Sequence, residues 1–216
     1  MFCRARTIVA LVASVVATTL VMPSHGAHAS ERSRHRVVIV GDSVFSVLRW
    51  APASQVPLWR HGYDVVNEAW GCQTFMTAGC PGSGNKSTLQ RLADHRTEKI
   101  DAIIVGTGYN DVGTSTVRTA MKKIVAFASA RDIPVFWATY FEGGNMERKA
   151  REFNRVVRAE ASHHPSVTVL EWNDRAAGHR NWFNGDSVHL NRAGGRQLGR
   201  FLASALDDYF STAGGG

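Results

Sequence analysis

Val37-Val38-Ile39-Val40 is a run of four branched apolar residues with no polar member. A strand with one face in water alternates apolar and polar side chains, so an unbroken run is satisfied only by burial on both faces, as in parallel sheets. Four further segments read as strands: Asp64 to Ala69, Ala102 to Val105, Val135 to Thr139 and Val167 to Glu171. Helical periodicity separates several of them. Within Thr114 to Arg131, Val117, Ala120, Met121, Ile124, Val125 and Ala128 recur at steps of three and four and form one face. Glu147 to His164 repeats the pattern with Phe153, Val156, Val157 and Ala161, and the segment after Asn191 does so with Leu198, Phe201, Leu202, Ala205, Leu206 and Tyr209. Strands alternating with helices through short connections predict an α/β fold: a three-layer α/β/α sandwich around a central parallel sheet of about five strands.

The N-terminus has a different character. Arg4 and Arg6 precede the apolar run Thr7 to Met22, then Pro23 and the small-residue triplet Ala27-His28-Ala29, with no acidic residue before Glu31. This is the pattern of a secretory signal peptide over 1–29, cleaved after Ala29. A membrane anchor is the competing reading, but the run contains four Ser or Thr and falls short of the roughly 20 apolar residues a spanning helix needs. Cys3 precedes the run, which speaks against a lipid-bearing cysteine at the cleavage site. The expected product is a secreted or cell-envelope protein with no integral membrane span: a polar linker over 30–36, one domain over 37–210 and a flexible tail over 211–216. Losing Arg4 and Arg6 takes the net charge from +7 to +5. The remaining positive charge is dispersed, with Lys122-Lys123 and Arg148-Lys149 on predicted helices, so a solvated surface or attraction to an anionic envelope is expected rather than nucleic-acid binding.

Cys72 and Cys80 are the two cysteines left after cleavage. Eight positions apart in an oxidising compartment, they predict one disulfide closing a small loop, worth roughly 2.5 kcal/mol by chain entropy. No further ligands at zinc spacing accompany them, so no metal is expected. The stretch from Gly79 to Ser87 imitates a phosphate-binding loop but has Asn85 where that motif places its lysine; it reads as a flexible loop beyond the disulfide.

Candidate chemistry gathers at the predicted carboxyl ends of strands, where sites form in open α/β sheets. Gly41-Asp42-Ser43 follows the first strand and offers Ser43 as a nucleophile. A neutral hydroxyl needs a base to take its proton. His189, in Asp186-Ser187-Val188-His189, is placed for that role, with Asp186 to fix its tautomer and stabilise the imidazolium. Asn110, in Gly108-Tyr109-Asn110-Asp111 beyond the middle strand, supplies a side-chain amide for a developing oxyanion. Gly71 offers a backbone N–H to the same oxygen. Asp111 is expected to brace the Asn110 turn by accepting backbone hydrogen bonds. Tyr109, Trp182 and Phe183 are candidates to line a substrate pocket, although core packing competes for Trp182 and Phe183.

These four blocks, in this order and strand context, resemble the SGNH, or GDSL-like, hydrolase family across residues 37 to about 210. The resemblance implies a flavodoxin-like sandwich and a serine esterase without cofactor. Ser43, Asp186 and His189 would be its triad, and the Ser43 N–H, Gly71 N–H and Asn110 side chain its oxyanion hole. Val44 stands where the older motif name has leucine. The stretch from Leu170 to Leu190 is also similar to the extracellular SGNH domains of cell-wall O-acetyltransferases. The expected reaction is hydrolysis of a small acyl ester, on carbohydrate, through an acyl-serine. Transfer of the acyl group to an envelope sugar, lipase or thioesterase action, and a non-catalytic envelope-binding protein are the alternatives.

Overall fold

The computed structural model describes residues 34–80 and 85–213. The predicted signal peptide, most of the linker, part of the loop beyond the disulfide and Gly214–Gly216 lie outside the described residues. Five parallel strands form one sheet: β1 (Arg36–Gly41), β2 (Asp64–Ala69), β3 (Ala102–Gly106), β4 (Val135–Ala138) and β5 (Val167–Leu170), in the order β2-β1-β3-β4-β5. The helices are α1 (Val47–Trp50), α2 (Val56–Arg60), α3 (Thr88–Asp94), α4 (Thr114–Ser129), α5 (Glu147–Ala161), α6 (Trp172–Ala176) and α7 (Arg192–Ala213).

The run that opens the sequence reading explains the layering. Val37 and Ile39 point into one core with Leu198, Leu202 and Leu206 of α7 and Trp172 of α6. Val38 and Val40 point into the other, with Met121 and Ile124 of α4 and Phe153 and Val157 of α5. All four β1 side chains are fully buried, each contributing about 1.5–3 kcal/mol of apolar transfer. The sheet turns direction at β1, whose neighbours β2 and β3 leave from opposite edges, and the carboxyl end of that junction is where an open sheet presents a crevice.

Two boundaries move. Arg36 belongs to β1 rather than to the linker, because its N–H donates to Asp101 at 2.7 Å and its guanidinium pairs with Asp64 and Glu98. Residues 211–213 belong to α7 rather than to a tail; the Ser211 and Thr212 hydroxyls donate back to carbonyls of that helix. Four short helices had no periodic signature, since four to seven residues make too few turns to display one. A signal for α3 was present: Ser87 and Gln90 form a reciprocal capping box.

Candidate active site

Ser43 is delivered by a pair of glycines. Gly41 ends β1 in register with Gly106 at the end of β3, and the ring of Phe45 lies against both. A Cβ on Gly41 would meet Phe45 Cβ at 2.4 Å, and one on Gly106 would meet the Phe45 ring at 2.3 Å. Two side-chain-free positions thus let the chain leave the sheet at once, drop Val44 and Phe45 into the core and leave Ser43 half-exposed between them. The turn is tied by Ser46, whose N–H donates to the Asp42 carbonyl at 2.9 Å and whose hydroxyl donates to the Ser43 carbonyl at 2.7 Å.

His189 reaches this turn from 146 positions away. Its Nε2 lies 2.8 Å from Ser43 Oγ, and its Nδ1 lies 2.6 Å from Asp186 Oδ2. With the ring proton on Nδ1, the imidazole donates to the carboxylate and accepts from the serine hydroxyl. The other carboxylate oxygen, Oδ1, accepts the N–H groups of Val188 and His189, each at 2.9 Å, so one side chain both shapes the turn and orients the ring. Ser187 adopts a left-handed conformation within it (φ 55°). Desolvation pushes the Asp186 carboxyl up, but bonds from the His189 ring and from the Val188 and His189 backbones outweigh it and hold the group at about 2. The pair is open to solvent, with the His189 and Asp186 side chains 45% and 46% exposed. Asn191 then starts α7, its side chain accepting from the Ala193 and Gly194 N–H groups.

The opposite wall is built from two buried carboxyls. Asp42 Oδ2 accepts the N–H groups of Gly108 and Tyr109 at 2.9 and 2.8 Å, and Oδ1 accepts from Val44 at 3.0 Å. Asp42 therefore locks the loop carrying Asn110 to the loop carrying Ser43. Burial raises its carboxyl to about 6 against the pull of those three donors. Asp111 grips Phe75 N–H with both oxygens, at 3.1 and 3.2 Å, and burial likewise raises it to about 6. This corrects the expectation for Asp111: it braces the segment after β2, not its own turn. Asn110 completes the link by donating from Nδ2 to the Gln73 carbonyl at 3.0 Å, which leaves the second N–H of that amide. Lys149 Nζ donates to the Tyr109 carbonyl at 2.8 Å, and its burial lowers its pKa. Sequence reasoning had passed over Asp42, Gln73 and Lys149.

Gly71 stands beside this link, next to Cys72, which is bonded to Cys80 with Cα atoms 5.2 Å apart. Among the described residues neither the Ser43 nor the Gly71 N–H has an acceptor within the protein. Tyr109 packs edge-on against Tyr140 and donates its hydroxyl to the Phe141 carbonyl at 3.3 Å; burial raises its pKa. Trp182 and Phe183 are buried in the core that lies under α7. Trp182, 6% exposed, is stacked against His179 at 3.9 Å and faces Trp172, while Phe183 is stacked on Phe141 at 4.2 Å. Sequence proximity to His189 put them near the site, but their rings face inward as core.

With that geometry in view, the comparisons are decisive on family. The sequence profile of the GDSL-like lipase/acylhydrolase family matches residues 39–197. The chain belongs to this family. It is a serine ester hydrolase by that membership. No curated protein matches its sequence. Among solved structures, the fold is similar to that of TesA (21% identity, TM-score 0.63, covering 81% of this chain and 99% of that one). It is also similar to the psychrotrophic esterase EstA from Pseudoalteromonas sp. (16%, 0.62, 82% and 99%). A third is a carbohydrate esterase family 3 protein from Talaromyces cellulolyticus (13%, 0.61, 82% and 99%). At these identities the likeness is one of fold. The narrower similarity of Leu170 to Leu190 to O-acetyltransferase domains is not carried by the family match.

Proposed function

We infer that the chain is an exported serine esterase that removes small acyl groups from carbohydrate through an acyl-Ser43 intermediate. The continuous line from Ser43 Oγ to His189 Nε2 and from His189 Nδ1 to Asp186 carries this reading. Ser43 Oγ attacks the ester carbon as its proton passes to Nε2, and Asp186 stabilises the imidazolium. The oxygen that becomes anionic has three donors to meet: the Ser43 and Gly71 N–H groups and the remaining amide N–H of Asn110. Each such donor typically contributes about 3 kcal/mol to the barrier reduction. Collapse breaks the bond to the alcohol, which leaves with the proton from Nε2. Water then gives a proton to His189 as it attacks the acyl carbon, and collapse releases the carboxylic acid and Ser43 Oγ, which takes that proton back from Nε2.

The half-exposed His189 and Asp186 side chains favour a bulky alcohol portion over a long buried acyl chain. The same openness supports a second reading, in which a sugar hydroxyl replaces water as acceptor. Export is supported by the Cys72–Cys80 disulfide.

A fluorophosphonate probe followed by peptide mapping tests the nucleophile: labelling at Ser43 is expected, and an unlabelled Ser43 returns the protein to the envelope-binding alternative. Rates on aryl esters of increasing chain length test the acyl preference. A rise from acetate to long acyl chains would replace the small-acyl reading with a lipase or thioesterase.

A further inference from the structure

Away from the triad, the face formed by α2 and α7 carries an unneutralised row of arginines. Arg192, Arg196 and Arg200 stand at i, i+4 and i+8 on α7, so they share one face of the helix over about 12 Å. Arg60, at the end of α2, lines with Arg196 and Arg200 a groove of about 360 Å³ whose other lining residues are Ala53, Val56, Pro57 and His61. Like charges one helical turn apart repel. Among the described residues, none of these four guanidiniums forms an ion pair, whereas the neighbouring His61 is paired with Asp207. Arg192 lies over the ring of Trp50 at 5.9 Å, and Trp50 is 49% exposed. Arg192 is three residues beyond His189, so chain reach keeps their Cα atoms within about 11 Å of each other.

We propose that Arg192, Arg196, Arg200 and Arg60 form a track that binds an acidic glycan and leads its ester-bearing sugar to Ser43. The last step rests on the esterase reading. Guanidiniums at helical spacing suit repeated carboxylate or phosphate groups, and the exposed Trp50 indole suits the C–H face of a sugar ring. The groove is concave, so a chain can enter it and a flat bilayer cannot.

The test measures binding, not hydrolysis, so failure of the esterase reading leaves it intact. Polygalacturonate is titrated into the intact protein, into an Arg60→Ser/Arg196→Ser/Arg200→Ser variant, and into a Lys122→Ser/Lys123→Ser/Arg155→Ser variant of equal charge. The first variant is expected to bind about 100-fold more weakly, at about fivefold per charge, and the second within about threefold of the parent. Polygalacturonate should also shield Arg60, Arg196 and Arg200 of the unmodified protein from phenylglyoxal, a readout that survives if a variant misfolds. Equal weakening of both variants, equal binding of neutral dextran, or absence of shielding overturns the proposal. So does tighter binding to phosphatidylglycerol vesicles or oligothymidylate than to polygalacturonate, which would assign the face to a membrane or to nucleic acid.

Discussion

Replacing Asp186 by Asn separates the two jobs of its carboxylate. Oδ1 holds the backbone of Val188 and His189, and an Asn oxygen in the same place keeps both bonds. The amide nitrogen then takes the position of Oδ2, 2.6 Å from Nδ1, and presents a donor where the imidazole had been the donor. The ring responds by moving its proton to Nε2, facing Ser43 at 2.8 Å, where it can no longer accept a proton. Restoring the active tautomer sets two N–H groups against each other, costing about 1–3 kcal/mol. The imidazolium also loses its counter-charge, worth about 4 kcal/mol at 4 Å in an effective dielectric of 20 and about half that once solvent screening of this open pair is counted. Together these predict about 3–5 kcal/mol, a fall in kcat/KM of roughly 100- to 5,000-fold on an aryl acetate. Asp186→Ala removes both jobs and should lower Tm as well as rate, whereas Asp186→Asn should leave Tm near that of the parent. Because the Asp186 pKa is lowered to about 2, its contribution is fully present above the ordinary carboxylate range and is lost only as pH falls through about 2. Loss of activity on acidification above pH 4 therefore belongs to other groups. An Asp186→Asn protein with more than a third of the parent rate, or one as destabilised as Asp186→Ala, would refute this division of labour.

Asn110→Ala is expected to lower kcat about 100-fold while costing only about 1 kcal/mol of stability through the lost bond to Gln73, as read by kinetics and denaturant melts. Gly106→Ala places a methyl against the Phe45 ring and should lose about 1–3 kcal/mol together with activity, whereas Gly71→Ala, with nothing within 4 Å of its Cβ, should melt like the parent. Asp42 and Asp111 have folded pKa values raised to about 6, so their contribution to stability is full below the ordinary carboxylate range and is lost as pH rises through 6. Each should remove about 1 kcal/mol between pH 5 and 8, and Asp111→Asn should flatten that slope in Tm measured against pH. Reducing Cys72–Cys80 should cost roughly 2.5 kcal/mol and slow turnover by loosening Gly71; unchanged activity after confirmed reduction would separate the bridge from the site.

What the sequence disclosed and what it withheld divide along a physical line. All five strands were legible: β1, β3 and β4 because burial on two faces restricts nearly every position, and the less buried β2 and β5 because they keep short β-branched runs. That Ser43, His189 and Asp186 come together was legible for a parallel reason: the roles proposed for them each admit very few side chains. The braces behind them were not. Asp42 satisfies an ordinary local turn through Val44, and nothing nearby announces that its second oxygen gathers two N–H groups from 66 and 67 positions away. Those donors arrive only because β3 lies beside β1, a consequence of sheet order rather than of any local pattern. Trp182 and Phe183 misled in the opposite direction, since adjacency along the chain fixes distance but not the side toward which a ring turns. The arginine row falls between these cases. Its spacing on α7 is visible in the sequence, yet Arg60, which closes the groove from 132 positions before Arg192, is brought there by the packing of α2 on α7. A substitution at Asp42 should therefore disturb the Asn110 loop before it disturbs the Ser43–His189 distance. Tyr109 is the residue whose amide resonance would report that order, because its N–H is held by Asp42 and its carbonyl by Lys149.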